Sequence, residues 1–126
     1  MQITKIVEYI PLGIPDIDKE HEEFVKILNM QIETRFELVD ILNRIVEFWI
    51  RHTTTETRFM ITHDFPKAEM DLHLFYHSIV RNFLLSTLTR LALDTSGETF
   101  PDTLAVLGDM FDEHFNKYDR VFEKYI

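Results

Sequence analysis

Seven residues capable of ligating a cation recur at helical spacing: His21, His52, Glu56, His73, His77, His114 and Asp119. His52-x-x-x-Glu56 and His73-x-x-x-His77 are pairs four apart, so each sets two side chains on one helix face, about 6 Å apart and one turn above the other. Such a pair can grip one ion or straddle two. Alone it is a weak signal, often a solvated face, and a lone histidine on an apolar stripe is usually satisfied by a backbone carbonyl. Five imidazoles and two carboxylates at core-facing positions are different, because each uncompensated polar group buried there costs about 1 to 7 kcal/mol. Something must offset that. His114 and Asp119 are five apart, which a regular helix rotates by about 140°; a wider i→i+5 turn would bring them together. The sixth histidine, His63, lies near a turn and reads as a helix-end residue.

The elements that must position these groups are helices. Only three Gly and four Pro occur, and none lies between Pro15 and Pro66. Neither a hairpin dipeptide nor a sustained alternation suggests a sheet. Apolar or inward-looking residues spaced three and four apart form stripes. One runs Leu38, Leu42, Ile45, Trp49, His52, Glu56, Phe59; the next Met70, His73, His77, Val80, Leu84, Thr87, Leu91; the last Leu104, Leu107, Phe111, His114, Tyr118, Phe122. A first helix carries His21, Phe24, Val25, Leu28 and Ile32, with Asp16 or Asp18 as its cap. The expected fold is all-α: an antiparallel up-down-up-down four-helix bundle of one domain, residues 1–126. It has an extended N-terminal arm over about 1–16 and helices over about 18–34, 37–63, 67–93 and 101–125. At about 100 to 200 residues per domain, 126 residues leave no room for a second module.

In an antiparallel hairpin, residues at one height are equidistant from the turn. Pairing 52/56 with 73/77 puts a turn near 64 to 65, at Asp64-Phe65-Pro66; pairing 73/77 with 114/119 puts one near 95 to 96, within Asp94 to Phe100. Pairing 21 with 52 predicts a turn near Arg35 to Glu37. All seven donors then share one level. They are too many for one tetrahedral zinc and suit two octahedral N/O ions such as iron or manganese.

Thirteen Lys plus Arg against 22 Asp plus Glu give a formal charge of −9, a poor footprint for nucleic acid or anionic lipid. With no cysteine, thiolate metal sites, disulfides and thiol nucleophiles are excluded. No secretory leader or long apolar run is present, so a cytoplasmic location away from the membrane is expected.

The chain resembles the hemerythrin-domain family, specifically the single-domain bacterial type. The residues that carry this are Gly13-Ile14-Pro15-x-Ile17-Asp18-x-x-His21, His52-x-x-x-Glu56-x-x-x-Met60, His73-x-x-x-His77 and His114-x-x-x-x-Asp119, spanning nearly the whole sequence. The resemblance implies two oxo- or hydroxo-bridged iron ions. His73, His77 and His114 would hold one, His21 and His52 the other, and Glu56 and Asp119 would bridge. The ion with two histidines keeps one open position, where dioxygen or a small anion would bind. His-rich ligation leaves the centre positively charged, and no Glu has a His three residues on, as ferritin-like oxidases have. Both features favour reversible dioxygen binding by a carrier, store or sensor. The alternative is a diiron enzyme acting on peroxide, nitric oxide or iron. Docking to a redox partner is compatible with either; the oligomeric state is not legible.

Trp49, Phe24, Phe59, Phe111 and Phe115 are expected to form a dry aromatic wall, and Thr53, Phe111, Phe115 and Asn116 to line the ligand pocket. Thr53 replaces the aromatic residue the family usually has there, so water or an anion should enter more easily and Thr53→Phe should slow autoxidation. Phe111 replaces an aliphatic residue and should narrow access. Glu22, Glu23, Asp112 and Glu113 are the acids near enough to support the histidines, though their spacing turns most of them outward.

Overall fold

The computed structural model describes residues 8–30, 34–93 and 100–125. Among them the chain is all-helical: α1 over Pro15–Leu28, α2 over Arg35–Thr62, α3 over Lys67–Leu93, α4 over Phe100–Asn116, and a terminal 3-10 helix over Tyr118–Tyr125. α2 packs against α1 and α3, and α4 against α3 and the terminal helix, giving a bundle-like fold. No helix among the described residues is long and apolar enough to cross a membrane.

The ends of the helices follow local chemistry. α3 spans the expected 67–93. The turn before it is where the spacing puts it: Asp64 takes φ 51°, a left-handed value Asp tolerates, and Phe65 N–H closes onto Met60 O at 3.0 Å. The first connection differs from expectation. α1 stops at Leu28 rather than 34, and α2 starts at Arg35 behind Thr34, whose Oγ1 accepts from Glu37 N–H at 3.2 Å. Thr34-x-x-Glu37 has the form of a capping box, a helix-start signal that outweighs the hairpin arithmetic. Ile32 and the turn near 95 to 96 lie outside the described residues.

Asp16 and Asp18 do not cap α1 through their side chains. Ile14 is the N-cap residue without a side-chain bond, and Pro15 supplies the first turn, where its missing N–H costs nothing. The Asp18 carboxylate turns back instead and accepts from Leu12 N–H at 2.8 Å, Gly13 N–H at 2.9 Å and the Tyr9 hydroxyl. Gly13 at φ 91° makes that bend possible.

Two apolar clusters flank the polar level. One joins Phe24, Leu28, Leu38, Ile45, Trp49, Val80, Leu84, Leu107, Phe111 and Phe115. The other joins Leu12, Ile14, Ile17, Met60, Phe65 and Phe122. On α1 and α2 the candidate donors fall between residues of one cluster and those of the other, whereas α4 sets His114 between Phe111 and Phe115 of the first and the terminal helix sets Asp119 before Phe122 of the second, so side chains seal both ends of the donor level.

Candidate metal centre

Each helix brings its donors to that level by periodicity alone. α1 presents His21, α2 presents His52 and Glu56, α3 presents His73 and His77, α4 presents His114 in its last turn, and the terminal helix begins just before Asp119. All seven are buried, none more than 5 % exposed. His114 and Asp119 do not meet through a wide i→i+5 turn. α4 keeps its regular ladder to Lys117 N–H, which bonds Glu113 O at 2.9 Å, and the chain then tightens into the 3-10 helix. Three residues per turn in place of 3.6 changes the phase of the following side chains, and Asp119 Oδ1 lies 3.2 Å from His114 Nε2.

The two carboxylates divide their oxygens between two sets of imidazoles. Glu56 Oε1 lies 2.8 Å from His77 Nε2 and 3.3 Å from His73 Nε2, whereas Oε2 lies 3.1 Å from His52 Nε2 and 3.6 Å from His21 Nε2. Asp119 Oδ1 lies 3.1 Å from His73 Nε2, whereas Oδ2 lies 2.9 Å from His21 Nε2. The result is two overlapping donor groups that could each hold a metal ion: Glu56, His73, His77, His114 and Asp119, and His21, His52, Glu56 and Asp119. Within each group one donor atom per residue lies within 4.8 Å of every other.

Protein hydrogen bonds alone leave this cluster unsatisfied. Glu56 Oε2, both oxygens of Asp119 and His114 Nε2 are buried without a hydrogen bond among the described residues, although opposite groups stand at ion-pair distance. His21 Nε2 and His52 Nε2 face each other at 3.1 Å. Nitrogen and oxygen lone pairs converging on shared interior points, with no sulfur among them, are what a borderline or hard cation requires.

Without a cation, protons must hold the cluster together. Burial lowers His73, yet bonds to Asp119 and Glu56 outweigh it and push its pKa up to about 9. His21 and His52 are raised as well, burial again being overcome by Asp119 and Glu56. His114 is pulled down to about 4, chiefly by burial. Burial pushes Glu56 up, but His52 and the neighbouring imidazoles hold it well below the ordinary carboxylate range; Asp119 is depressed likewise by His114, His21 and His52.

One supporting residue carries no sequence signal of its own. Glu20 Oε1 lies 3.2 Å from His52 Nδ1, and its Oε2 accepts from Thr55 Oγ1 at 2.9 Å. It precedes His21 by one residue and therefore belongs to an outer face by periodicity, but its stem reaches across to α2. Of the acids expected in this role, Asp112 is bound to Asn116 and Glu113 to Tyr118. Because such partners orient ligating imidazoles, Glu20→Ala is expected to weaken metal binding by about 10- to 100-fold without emptying the fold of helix. Competition against a chelator, with circular dichroism as control, measures this.

The expected pocket residues separate. Phe115 packs 4.6 Å from the His21 ring and Phe111 5.9 Å from Trp49, both fully buried as a dry wall. Phe59 lies instead in the opposite cluster, 5.3 Å from Phe122. Asn116 does not face the donors through its amide: the carboxamide is committed to Glu8 O, Ile10 N–H and Asp112. Thr53 lines a groove between α2 and α3 that reaches the cluster only through His77. Tyr9, by contrast, stands edge-on 4.8 Å from the His21 ring. His63 caps α2, its Nδ1 3.0 Å from Phe59 O, and stays outside the cluster.

Comparison with family models, with curated proteins and with solved structures finds no match to this chain.

Proposed function

We propose that the protein is a non-haem diiron protein of the hemerythrin-domain type that binds dioxygen reversibly. The observation that carries this is the division of the Glu56 and Asp119 oxygens between two imidazole sets. His73, His77 and His114 would hold one ion and His21 and His52 the other, with Glu56 and Asp119 shared by both groups. A pair of iron ions, when bound, supplies electrons that dioxygen can take up and return. The chain's own work is to fix the imidazoles, keep the net charge of the donors low and exclude water. Glu20 orients His52. Phe24, Phe111, Phe115 and Trp49 close the centre from one side and Phe122 from the other. His21 and His52 are the smaller imidazole set, and a small ligand taken up there would lie beside the rings of Tyr9 and Phe115.

The same reading includes an antiparallel up-down-up-down order with an N-terminal arm. It is supported by the reversal, from each helix to the next, of the sequence in which the two apolar clusters are met. It is supported also by Arg120, whose guanidinium donates to Pro11 O at 3.2 Å and Ile10 O at 2.5 Å.

Iron-loaded protein should develop a visible charge-transfer band on exposure to oxygen and lose it under argon through repeated cycles. An irreversible change, or none, contradicts the proposal. Metal uptake at pH 7 should also release about one proton or more per chain, because bonds to Asp119 and Glu56 push His73 up to about 9 in the metal-free cluster and raise His21 and His52 in the same direction. Calorimetry in buffers of different ionisation enthalpy counts them; a buffer-independent heat would sink the expectation.

A further inference from the structure

A groove of about 580 Å³ runs between α2 and α3 with His77 in its lining, and it is chemically asymmetric. Its floor is Trp49 and His77, its walls include Ile61 and Leu74, and Arg58 and Arg81 stand over it. Its size falls in the range of small-molecule sites, about 300 to 1,000 Å³. Arg44, Lys67, Lys117, Arg120 and Lys124 each lie within ion-pair distance of a carboxylate. Arg58 and Arg81 have no such partner among the described residues, on a chain whose formal charge is −9. Two guanidiniums without a carboxylate partner among the described residues thus line one groove of an acidic protein.

The remaining polar atoms narrow the ligand further. The hydroxyls of Thr53, Thr54, Thr57 and Ser78 all donate to helix carbonyls, at 2.7 to 3.0 Å. The Trp49 indole N–H is spent on His77 O at 3.2 Å. Beside the Thr62 hydroxyl, the guanidiniums are therefore the charged donors left. His77 adds no donor to the groove: its Nε2 faces Glu56, and its Nδ1 is closed off from solvent. Arg81 follows His77 by four residues, so the two share one face of α3.

We propose that this groove binds a small organic carboxylate. Its anionic end is held by Arg58 and Arg81, and its apolar body lies against Trp49, Ile61 and Leu74. Planar guanidinium forks match a carboxylate in geometry as well as charge. Binding requires no metal, so its failure and the failure of the diiron reading are separate results.

The test is calorimetric titration of the full chain, as purified and after chelation, with 4-phenylbutyrate as probe. Saturable binding is expected, with 4-phenylbutyramide at least about tenfold weaker and inorganic phosphate not competing at equal ionic strength. The double substitution Arg58→Gln/Arg81→Gln changes two exposed side chains and should weaken 4-phenylbutyrate by at least about tenfold. No saturable binding, equal affinity for the amide, competition by phosphate or an unchanged double variant each overturns the proposal. So does sedimentation as a dimer that the double variant abolishes, which would mean a second copy covers the groove.

Discussion

Glu56→Ala is expected to take the protein from about two metal ions per chain to nearly none. Glu56 is the residue whose two oxygens reach both donor groups from α2, Oε1 toward His73 and His77, Oε2 toward His52 and His21. Its loss removes a ligand from each group at once and leaves Asp119 as the one carboxylate between the two imidazole sets. His77→Ala is the comparison, because His77 belongs to one group only; it should retain the ion of His21 and His52. Metal content after exhaustive dialysis, measured by mass spectrometry, distinguishes the two. Equal loss in both variants, or full retention in Glu56→Ala, would contradict the bridging assignment.

Removing the metal is expected to lower the thermal midpoint by about 20 °C. Each bound ion at about 100 times its Kd adds about 2.7 kcal/mol, and for a domain of this size each kcal/mol shifts the midpoint by about 4 °C. Chelation also exposes a pH dependence. His73 holds its proton up to about pH 9 in the folded chain against 6.5 unfolded, so its contribution is complete below 6.5 and is lost as pH rises through 9. His21 and His52 act in the same direction. Glu56 and Asp119 are depressed, so theirs is present above the ordinary carboxylate range and is lost in acid. His114, lowered to about 4, likewise contributes above 6.5 and loses that contribution as pH falls toward 4. Chelated protein should therefore melt progressively lower from pH 6.5 to 9.5, while loaded protein melts at a nearly constant temperature. Parallel curves would refute the role assigned to the protons.

The donors were legible because periodicity and burial act on the same positions. A stripe that reads Trp49, His52, Glu56 or His73, His77, Val80 puts polar groups where only compensated ones survive, and each of them is buried. The turn at Asp64 was legible for the same reason, since equal heights on α2 and α3 fix its place. What the spacing concealed depended on hydrogen bonds between elements. Asp18 looks like a helix cap, but the N–H groups of Leu12 and Gly13 and the Tyr9 hydroxyl claim it. Glu20 lies off the stripe and reaches His52 only through the length of its side chain. Asp119 was recognisable as a donor although its route was not, because a shift from α to 3-10 geometry leaves no mark in composition. Thr34 and Glu37 carry a helix-start signal in their spacing that the hairpin arithmetic passed over, and it marks the α2 boundary.

Anomalous diffraction from crystals of the iron-loaded chain bears most directly on the central claim. Two peaks about 3.5 to 4 Å apart, one against His73, His77 and His114 and the other against His21 and His52, with Glu56 and Asp119 between them, are the predicted result. A single peak, or iron bound away from these seven side chains, would contradict it.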